Sequence, residues 1–407
     1  MCPGKGGTMA YSYIVLGAGR QGIAAAYDLV LFGEASRVTL ADFDGELARS
    51  AADRVNELVR GKAVNGVALD VRDEDAVHNI LKGYDVALSA VPYFYNLPLT
   101  EIAIENGVSF CDLGGNTDIV RKQHALDREA SRAGVSVVPD CGMGPGMGNT
   151  LAVYAMGLVG NPEHVYMYDG GLPQKPKAPW NYALTFSIEG LTNEYYGGMT
   201  ILRDGELFHA PCFTEFEMID IPPVGKLEAF LIAGGVSTAP WTFRGKLQTY
   251  QLKVLRYPGT FAQLKAFSDL GLFDLKPVAV NGAQVVPRKL FHALYEPQVR
   301  VDDLEDVCIV RAEAIGKMHG RRTEAIVEII DYHDAATGFT AMQRLTGWHM
   351  SIVAAMIAKG EIPAGCVPLE LAVPGEAFVR EARKRGLKVR EEIVTGEEVP
   401  QPITQHV

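Results

Sequence analysis

Between residues 11 and 140 the chain repeats one pattern. A short, mostly β-branched apolar run is followed by a turn, and then by apolar positions at helical spacing. The runs fall at residues 13–16, 38–41, 63–69, 86–89, 108–111 and 135–138, with helical stretches such as 45–60 and 119–133 between them. Unbroken apolar runs indicate strands buried on both faces, and their alternation with helices predicts a doubly wound parallel sheet. Ligands of such sheets sit at the carboxyl ends of the strands.

After about residue 160 the pattern changes. Strand-like runs occur at 165–171, 182–188, 227–232, 248–256, 307–315 and 324–332, and two more at 199–202 and 206–209 flank the hairpin signal Arg203-Asp204-Gly205. The main helical run there is 260–270. This predicts a second, mostly antiparallel α+β domain. Helical spacing returns at 340–359 and 375–385, and residues 391–407 are polar with two prolines and read as frayed. The expected division is a dinucleotide-binding domain over 9–150, a substrate and dimerisation domain over 151–339, and C-terminal helices over 340–390 that pack back on the first domain. The expected fold class is therefore α/β: a Rossmann-type parallel sheet followed by the α+β domain.

Composition narrows the function. The 407 residues carry 38 basic and 49 acidic side chains, a net charge of −11, which argues against nucleic acid or an anionic membrane as partner. No apolar run reaches the length of a membrane span. Residues 1–10 are Gly-rich, lack the apolar core of a signal peptide, and include Met9 as an alternative start. The six cysteines are scattered without a Cys-x-x-Cys, and the nine histidines show no His-x-x-x-His. Free thiols in a reducing cytoplasm and no metal site are the expectation.

The most specific motif ends the first apolar run: Gly17-Ala18-Gly19-Arg20-Gln21-Gly22. Gly17 permits a tight turn, Gly19 lets the main chain approach a pyrophosphate, and Gly22 lets the helix pack close to the strand. Asp42 ends the second run 20 residues after Gly22, where a carboxylate accepts the ribose hydroxyls of NAD. Asp70 and Val71 follow the third run and border the adenine. Ala90, Val91 and Pro92 follow the fourth and suit a backbone lying along the nicotinamide ribose. After the fifth come Asp112, Leu113, Gly114, Gly115 and Asn116, whose paired glycines admit a flat ring. After the sixth come Asp140 and a glycine-dense loop to Asn149, a candidate helix cap. Asp112 and Asp140 are equally suited to capping helices, and Cys111 and Cys141 read as buried small hydrophobes rather than nucleophiles.

The second domain should supply the other wall of a substrate pocket facing the nicotinamide. Its polar clusters contain Tyr182, Glu189, Glu194 and Thr238. Glu189 and Glu194 suit acid–base work or amine binding, or else are solvated surface carboxylates. Arg203, Arg244, Arg256 and Arg311 can grip a carboxylate, although solvent exposure is the better expectation for any one of them.

Taken in order, Gly17-Ala-Gly-Arg-Gln-Gly22, Asp112-Leu-Gly-Gly115, Pro139-Asp-Cys-Gly-Met-Gly-Pro-Gly146 with Asn149, Gly170-Gly-Leu-Pro173 and Glu189-Gly-Leu-Thr-Asn-Glu-Tyr195 resemble the saccharopine dehydrogenase superfamily. The similarity runs from about Tyr11 to about Leu387. Gly235-Val-Ser-Thr238 and Leu255-Arg-Tyr-Pro-Gly259 resemble its lysine 6-dehydrogenase branch, with Val236 where Thr is frequent, and Tyr93 and Asn96 stand where that branch carries Tyr and Asn. The resemblance implies NAD-dependent oxidative deamination of the L-lysine 6-amino group. Its products are ammonia and 2-aminoadipate 6-semialdehyde, which cyclises to a piperideine carboxylate. A lysine ε-amine has an ordinary pKa of about 10.4 and arrives protonated, so a carboxylate or an apolar pocket must free its lone pair. The available acids are Asp112, Asp140, Glu189 and Glu194, with Tyr93 as a hydrogen-bond donor. Asn96, Asn116, Tyr182, Thr238 and Arg244 are the remaining substrate-binding candidates. NAD is expected over NADP because Asp42 repels a 2′-phosphate, although Arg20 beside the phosphates suits one. Alternatives are a secondary-amine enzyme, such as saccharopine or carboxynorspermidine dehydrogenase, and a non-catalytic NAD-binding regulator. A symmetric homodimer is expected.

Overall fold

The computed structural model describes residues 11–396, which divide into two compact units. The first runs to Met147 and takes in Gln343–Glu381; the second is Gly148–Met342 with the chain from Ala382. The Gly-rich stretch 1–10, with Met9, and residues 397–407 lie outside the described residues. Among the described residues no helix is long and apolar enough to cross a membrane.

The first unit is built on β1 (Tyr11–Leu16), β2 (Ala35–Asp42), β3 (Val64–Ala68), β4 (Val86–Ser89), β5 (Ser109–Asp112) and β6 (Ser136–Val138). All pair in parallel, in the order β6-β5-β4-β1-β2-β3, and the short strand Gly365–Cys366 extends the sheet beyond β6. Tyr13, Ile14, Val15 and Leu16 are all completely buried, which is why this central strand is apolar at four consecutive positions rather than at alternate ones. The chain moves outward from β1 to β3 and then restarts at β4 on the other side of β1. The turns after β1 and β4 therefore meet at the reversal point of the sheet. There the Ala90 N–H donates to Leu16 O at 2.7 Å, and a Cβ on Gly17 would lie 2.8 Å from Ala90 O.

Helix α1 (Arg20–Phe32) lies over this centre on a run of buried small residues, Ala24, Ala25 and Ala26. The helix Ala341–Ala358 packs against it through Gly347, where a Cβ would come within 2.9 Å of both Ala24 Cβ and Gln21 O. Ser351 Oγ donates to the buried Asp28 carboxylate at 2.6 Å, and Gln343 Nε2 to Arg20 O at 2.9 Å. The single helix expected over 119–133 is broken into Thr117–His124 and Asp127–Ala133. The second piece starts afresh at Asp127, whose carboxylate accepts the Cys366 N–H of the edge strand.

The second unit contains β7 (Asn161–Pro173), β8 (Gly198–Arg203), β9 (Glu206–Pro211), β10 (Glu217–Ile221), β11 (Gly225–Leu231), β12 (Thr249–Arg256), the small hairpin β13 (Val278–Val280) and β14 (Ala283–Val285), and the long pair β15 (Asp306–Met318) and β16 (Arg321–Tyr332). The main sheet runs β10-β11-β12-β7-β15-β16 and ends on Val389–Thr395. Only β7 and β12 pair in parallel along this path. The β8–β9 hairpin turns through Asp204 and Gly205, both at positive φ as a two-residue turn requires, and joins β12 at Leu202–Tyr250.

Two expectations fail here. Residues 182–188 form no strand: Ser187 Oγ accepts the Gly190 N–H at 3.1 Å and caps the helix Ile188–Glu194, a local cap that competes with the apolar run before it. Residues 391–395, the start of the stretch expected to be frayed, are not: Val389–Thr395 completes an antiparallel ladder along β16 from Ile329 to Thr323.

Candidate functional site

The first unit presents the carboxyl ends of its strands as a nucleotide-binding surface. Gly17 sits at φ +102, and a Cβ on Gly22 would lie only 1.9 Å from Gly17 O, so both must be glycine for α1 to start where it does. Nothing lies within 4 Å of the Cβ position of Gly19, which leaves open space against the main chain. No side chain caps α1, and its first internal bond is Ile23 N–H to Gly19 O. The N–H groups of Arg20, Gln21 and Gly22 thus remain for an anion, aided by the helix dipole. Arg20 is exposed, and the buried side-chain oxygen of Gln21 has no partner among the described residues.

Beside this turn is a pocket of about 290 Å³ lined by Asp42, Phe43, Leu69, Asp70, Val71, Arg72, Val91, Pro92, Phe94 and Tyr95, with Ala41 at its base. Asp42 is held rigidly, one oxygen accepting the Ala18 N–H at 2.8 Å and the other the Asp44 N–H at 3.0 Å. Asp70 grips Arg72 through both oxygens, and these hydrogen bonds hold its carboxyl well down, at about 2. The glycine turn, a fixed carboxylate at the end of β2 and an aromatic-rimmed pocket fit a dinucleotide, with its pyrophosphate on Gly19 and its adenosine in the pocket.

The loops after β5 and β6 are locked together. A Cβ on Gly114 would be 2.1 Å from Asp140 Oδ1, and one on Gly115 would touch Tyr93 Cβ at 3.2 Å. Both glycines have positive φ, and so does Asp140, at +65, an unusual conformation for a side-chain-bearing residue. Asp112 is fully buried. Its carboxylate accepts from Gly114 N–H at 2.7 Å, Gln123 Nε2 at 2.7 Å and, more weakly, Asp140 N–H at 3.4 Å. Burial pushes its carboxyl up to about 6 against those three donors. Asp112 therefore caps no helix; it pins the Leu113–Gly115 loop. Asn116 does cap a helix, accepting from Ile119 N–H at 3.1 Å. Asn96 is buried with its side-chain oxygen taken by Ser89 Oγ at 2.8 Å, which fixes the end of β4. Asn149 lies within the helix Met147–Leu158 rather than capping it, and donates to Val236 O and Tyr250 Oη, tying down the loop that carries the buried Thr238.

The second unit holds a buried charged cluster that the sequence reading only partly found. Arg256, at the end of β12, donates from Nε to Tyr195 Oη at 2.9 Å and from a terminal nitrogen to Glu194 Oε2 at 3.2 Å. It lies 5.4 Å from the Tyr182 ring. The Tyr195 ring is itself stacked against Phe213, Phe230 and Phe273, which fixes the hydroxyl that holds the guanidinium. Burial works against the Arg256 charge, but Tyr195, Glu194 and Tyr182 more than offset it. Asp169, on β7 opposite Val254, is buried and shares the field of this one cation. Burial pushes Asp169 up to about 7, with Arg256 opposing. Burial also raises Glu194 to about 7; Arg256 opposes this and Asp169 adds to it. Two buried hydroxyls nearby, Tyr182 Oη and Thr185 Oγ1, have no partner among the described residues. Thr185 lies against Gly171, two residues along β7 from Asp169.

Of the other candidates in this unit, Arg244 is exposed and paired with Glu206, and Arg203 is paired with Glu215. Glu189 is half exposed and faces Arg288 at 3.3 Å. None of the three joins the cluster, because each lies on a surface helix, loop or hairpin whose partner charge is local. Arg311 is mostly covered, but pairs with Glu313 and Glu328. Asp169 was missed because it sits inside an apolar strand run. The available signal was a lone acid within that run, followed directly by Gly170-Gly171.

Comparison with known proteins agrees with this architecture. Residues 13–138 match the model of the saccharopine dehydrogenase NADP binding domain, and residues 142–387 that of the saccharopine dehydrogenase C-terminal domain. A saccharopine dehydrogenase [NADP(+), L-glutamate-forming] from Schizosaccharomyces pombe is 27% identical over 38% of this chain and 34% of its own length. The mouse mitochondrial alpha-aminoadipic semialdehyde synthase is 22% identical over 56% of this chain and 26% of its own. The chain thus spans about a third or less of the length of these relatives. Among solved structures, apo saccharopine dehydrogenase (L-Glu forming) from Saccharomyces cerevisiae superposes with a TM-score of 0.75 at 18% identity, covering 95% of this chain and 100% of that one. The homospermidine synthase of Legionella pneumophila, solved in complex with NAD, superposes at 0.65 and 13% identity, covering 95% and 92%. With both of its domain models matched in order along the chain, the protein belongs to the saccharopine dehydrogenase family, and its first unit is that family's pyridine-nucleotide-binding domain.

Proposed function

We propose that this protein is an NAD-dependent amine dehydrogenase that oxidises the 6-amino group of L-lysine, releasing ammonia and 2-aminoadipate 6-semialdehyde. The observation that carries this reading is the charge count around Arg256: the buried Asp169 and the partly covered Glu194 share one guanidinium. Such a cluster lacks one positive charge and is best completed by an ammonium. A carboxylated secondary amine such as saccharopine needs further cations, whereas Arg203, Arg244 and Arg311 are already paired with local acids. A diamino acid brings the missing charge and a single carboxylate, for which Arg256 keeps N–H donors beyond the three it uses.

When bound, NAD supplies the hydride acceptor. The protein's own part begins with the amine. Carboxyls poised near 7, as Asp169 and Glu194 are, accept a proton from a bound ammonium far better than an ordinary carboxylate. The hydroxyls of Tyr182 and Thr185 offer hydrogen bonds to the substrate's polar groups. NAD is proposed over NADP because Asp42 already stands fixed at the ribose position, with Asp44 and Asp70 close by and Arg72 occupied by Asp70. A symmetric homodimer in a reducing cytoplasm completes the proposal. The long strands of the second unit suit pairing between subunits, and Cys111, Cys141, Cys308 and Cys366 are buried free thiols.

The test is NADH formation with L-lysine plus NAD, run against saccharopine plus NAD. Lysine is expected to be the faster substrate. Turnover of saccharopine alone would transfer the reading to a secondary amine, and binding of NAD with no amine oxidised would leave a nucleotide-binding regulator.

A further inference from the structure

A chain of buried hydrogen bonds runs beneath the carboxyl ends of β4 and β5 and belongs to no glycine motif. Ser89 Oγ donates to Asn96 Oδ1, and Thr100 Oγ1 to Asn96 O at 2.7 Å. Gln123 Nε2 donates both to Thr100 Oγ1 at 2.8 Å and to Asp112 Oδ2 at 2.7 Å. The other Asp112 oxygen takes the Gly114 and Asp140 N–H groups. Gln123, Thr100, Asn96 and Asp112 are all at least 98% buried, so water cannot replace any link.

Gln123 spends both amide hydrogens on this chain, and one of them is the side-chain donor to Asp112 among the described residues. The two main-chain donors on Asp112 belong to the loops after β5 and β6, in which Gly114 makes room for the Asp140 carboxylate and Gly115 for the Tyr93 side chain. We propose that Gln123 is a positioning residue for the dinucleotide: it keeps Asp112 in the charged, acceptor-only form that pins the Gly114 and Asp140 loops at the carboxyl ends of β5 and β6. This rests on the proposal that the dinucleotide binds across those ends.

A protonated Asp112 loses acceptor capacity and loosens its hold on both amides. The groups facing Asp112 are Asp140 and Cys141 from the loop after β6, Cys366 of the edge strand, and Gln123 itself. Burial holds the Cys141 and Cys366 thiols neutral, which leaves Asp140 as the other acid. With the carboxyl raised to about 6, Asp112 is charged at neutral pH and titrates just below it.

The experiment measures NADH affinity of the full chain by fluorescence as a function of pH, for the wild type, Gln123→Met and Gln123→Glu, with folding checked by circular dichroism. The wild type is expected to lose affinity as the pH falls through about 6. In Gln123→Met the donor is gone at nearly constant shape, and this acid limb is expected to move up by ~1–2 pH units, the size of one lost charge-assisted hydrogen bond, with affinity at alkaline pH retained. Gln123→Glu is expected to move the limb upward too, because two adjacent carboxyls hold a proton between them. It also serves if Gln123→Met does not fold. Weakening that is equal at every pH, or a limb that stays in place, would make Gln123 merely structural and overturn the proposal. Failure of the wild type to bind NADH at any pH would instead remove the dinucleotide reading on which the proposal stands.

Discussion

Replacing Asp169 with Asn should stabilise the protein at pH 8 while impairing its use of amines. Among the described residues no donor bonds the Asp169 carboxylate, and it competes with Glu194 for the field of Arg256. Burial takes it from 3.8 to about 7, and at about 1.4 kcal/mol per pKa unit the charged form is held against up to ~4 kcal/mol. An unfolded chain ionises Asp169 above about pH 4, whereas the native chain keeps the proton until about 7. Between those values the native state binds more protons, so its stability from this group falls as the pH rises and the full penalty is present above 7. Asn carries no charge to desolvate. Allowing for relaxation of the site, about 2 kcal/mol should be recovered, or ~4–8 °C in Tm for a unit of this size. Thermal unfolding followed by calorimetry at pH 8 and pH 5 measures this. The variant should melt higher at pH 8, and the gap should shrink by more than half at pH 5, where native Asp169 is protonated but the unfolded chain still ionises it, and close only below about pH 4. At the same time kcat/KM for the amine should drop, since the cluster's acid excess is gone. A variant less stable than the wild type at pH 8, or a gap independent of pH, would refute the charge reasoning.

Gly19→Val should fold with unchanged Tm, because its Cβ meets nothing within 4 Å, yet lose NADH binding; undiminished affinity would remove the pyrophosphate from that turn. Asp42→Ser should weaken NAD binding and narrow or reverse the preference over NADP, measured as a ratio of kcat/KM values, whereas a wild type that already prefers NADP would deny Asp42 its ribose role. Light scattering at micromolar concentration should give twice the monomer mass of 44.1 kDa, and a monomer mass would contradict the homodimer.

Much of the first unit was legible because its information is local. The run before Gly17 is apolar at consecutive positions as its strand is buried on both faces, and Gly17 and Gly22 are forced by approaches of 2.8 and 1.9 Å that no side chain tolerates. The second unit was less legible because its determinants are long-range. Val389–Thr395 looks polar and frayed by itself and becomes a strand only because β16 offers it an edge more than 50 residues away. Residues 182–188 lost to the cap at Ser187. For the site, Glu194 and Tyr182 were found as polar residues in a plausible stretch, but Asp169 was invisible inside a strand. Arg256 could not be told from Arg244 until burial separated them. Asn96 and Asn116 carry a local task that the sequence did not show: the side-chain oxygen of one accepts from Ser89 and that of the other caps a helix.

The most direct measurement is the ammonia released per NADH formed when the protein is given L-lysine and NAD. One ammonia is expected for each NADH, with the semialdehyde product trapped as its cyclic imine, and little NADH from saccharopine. NADH formed from a secondary amine with an amino acid and no ammonia as co-product would contradict it.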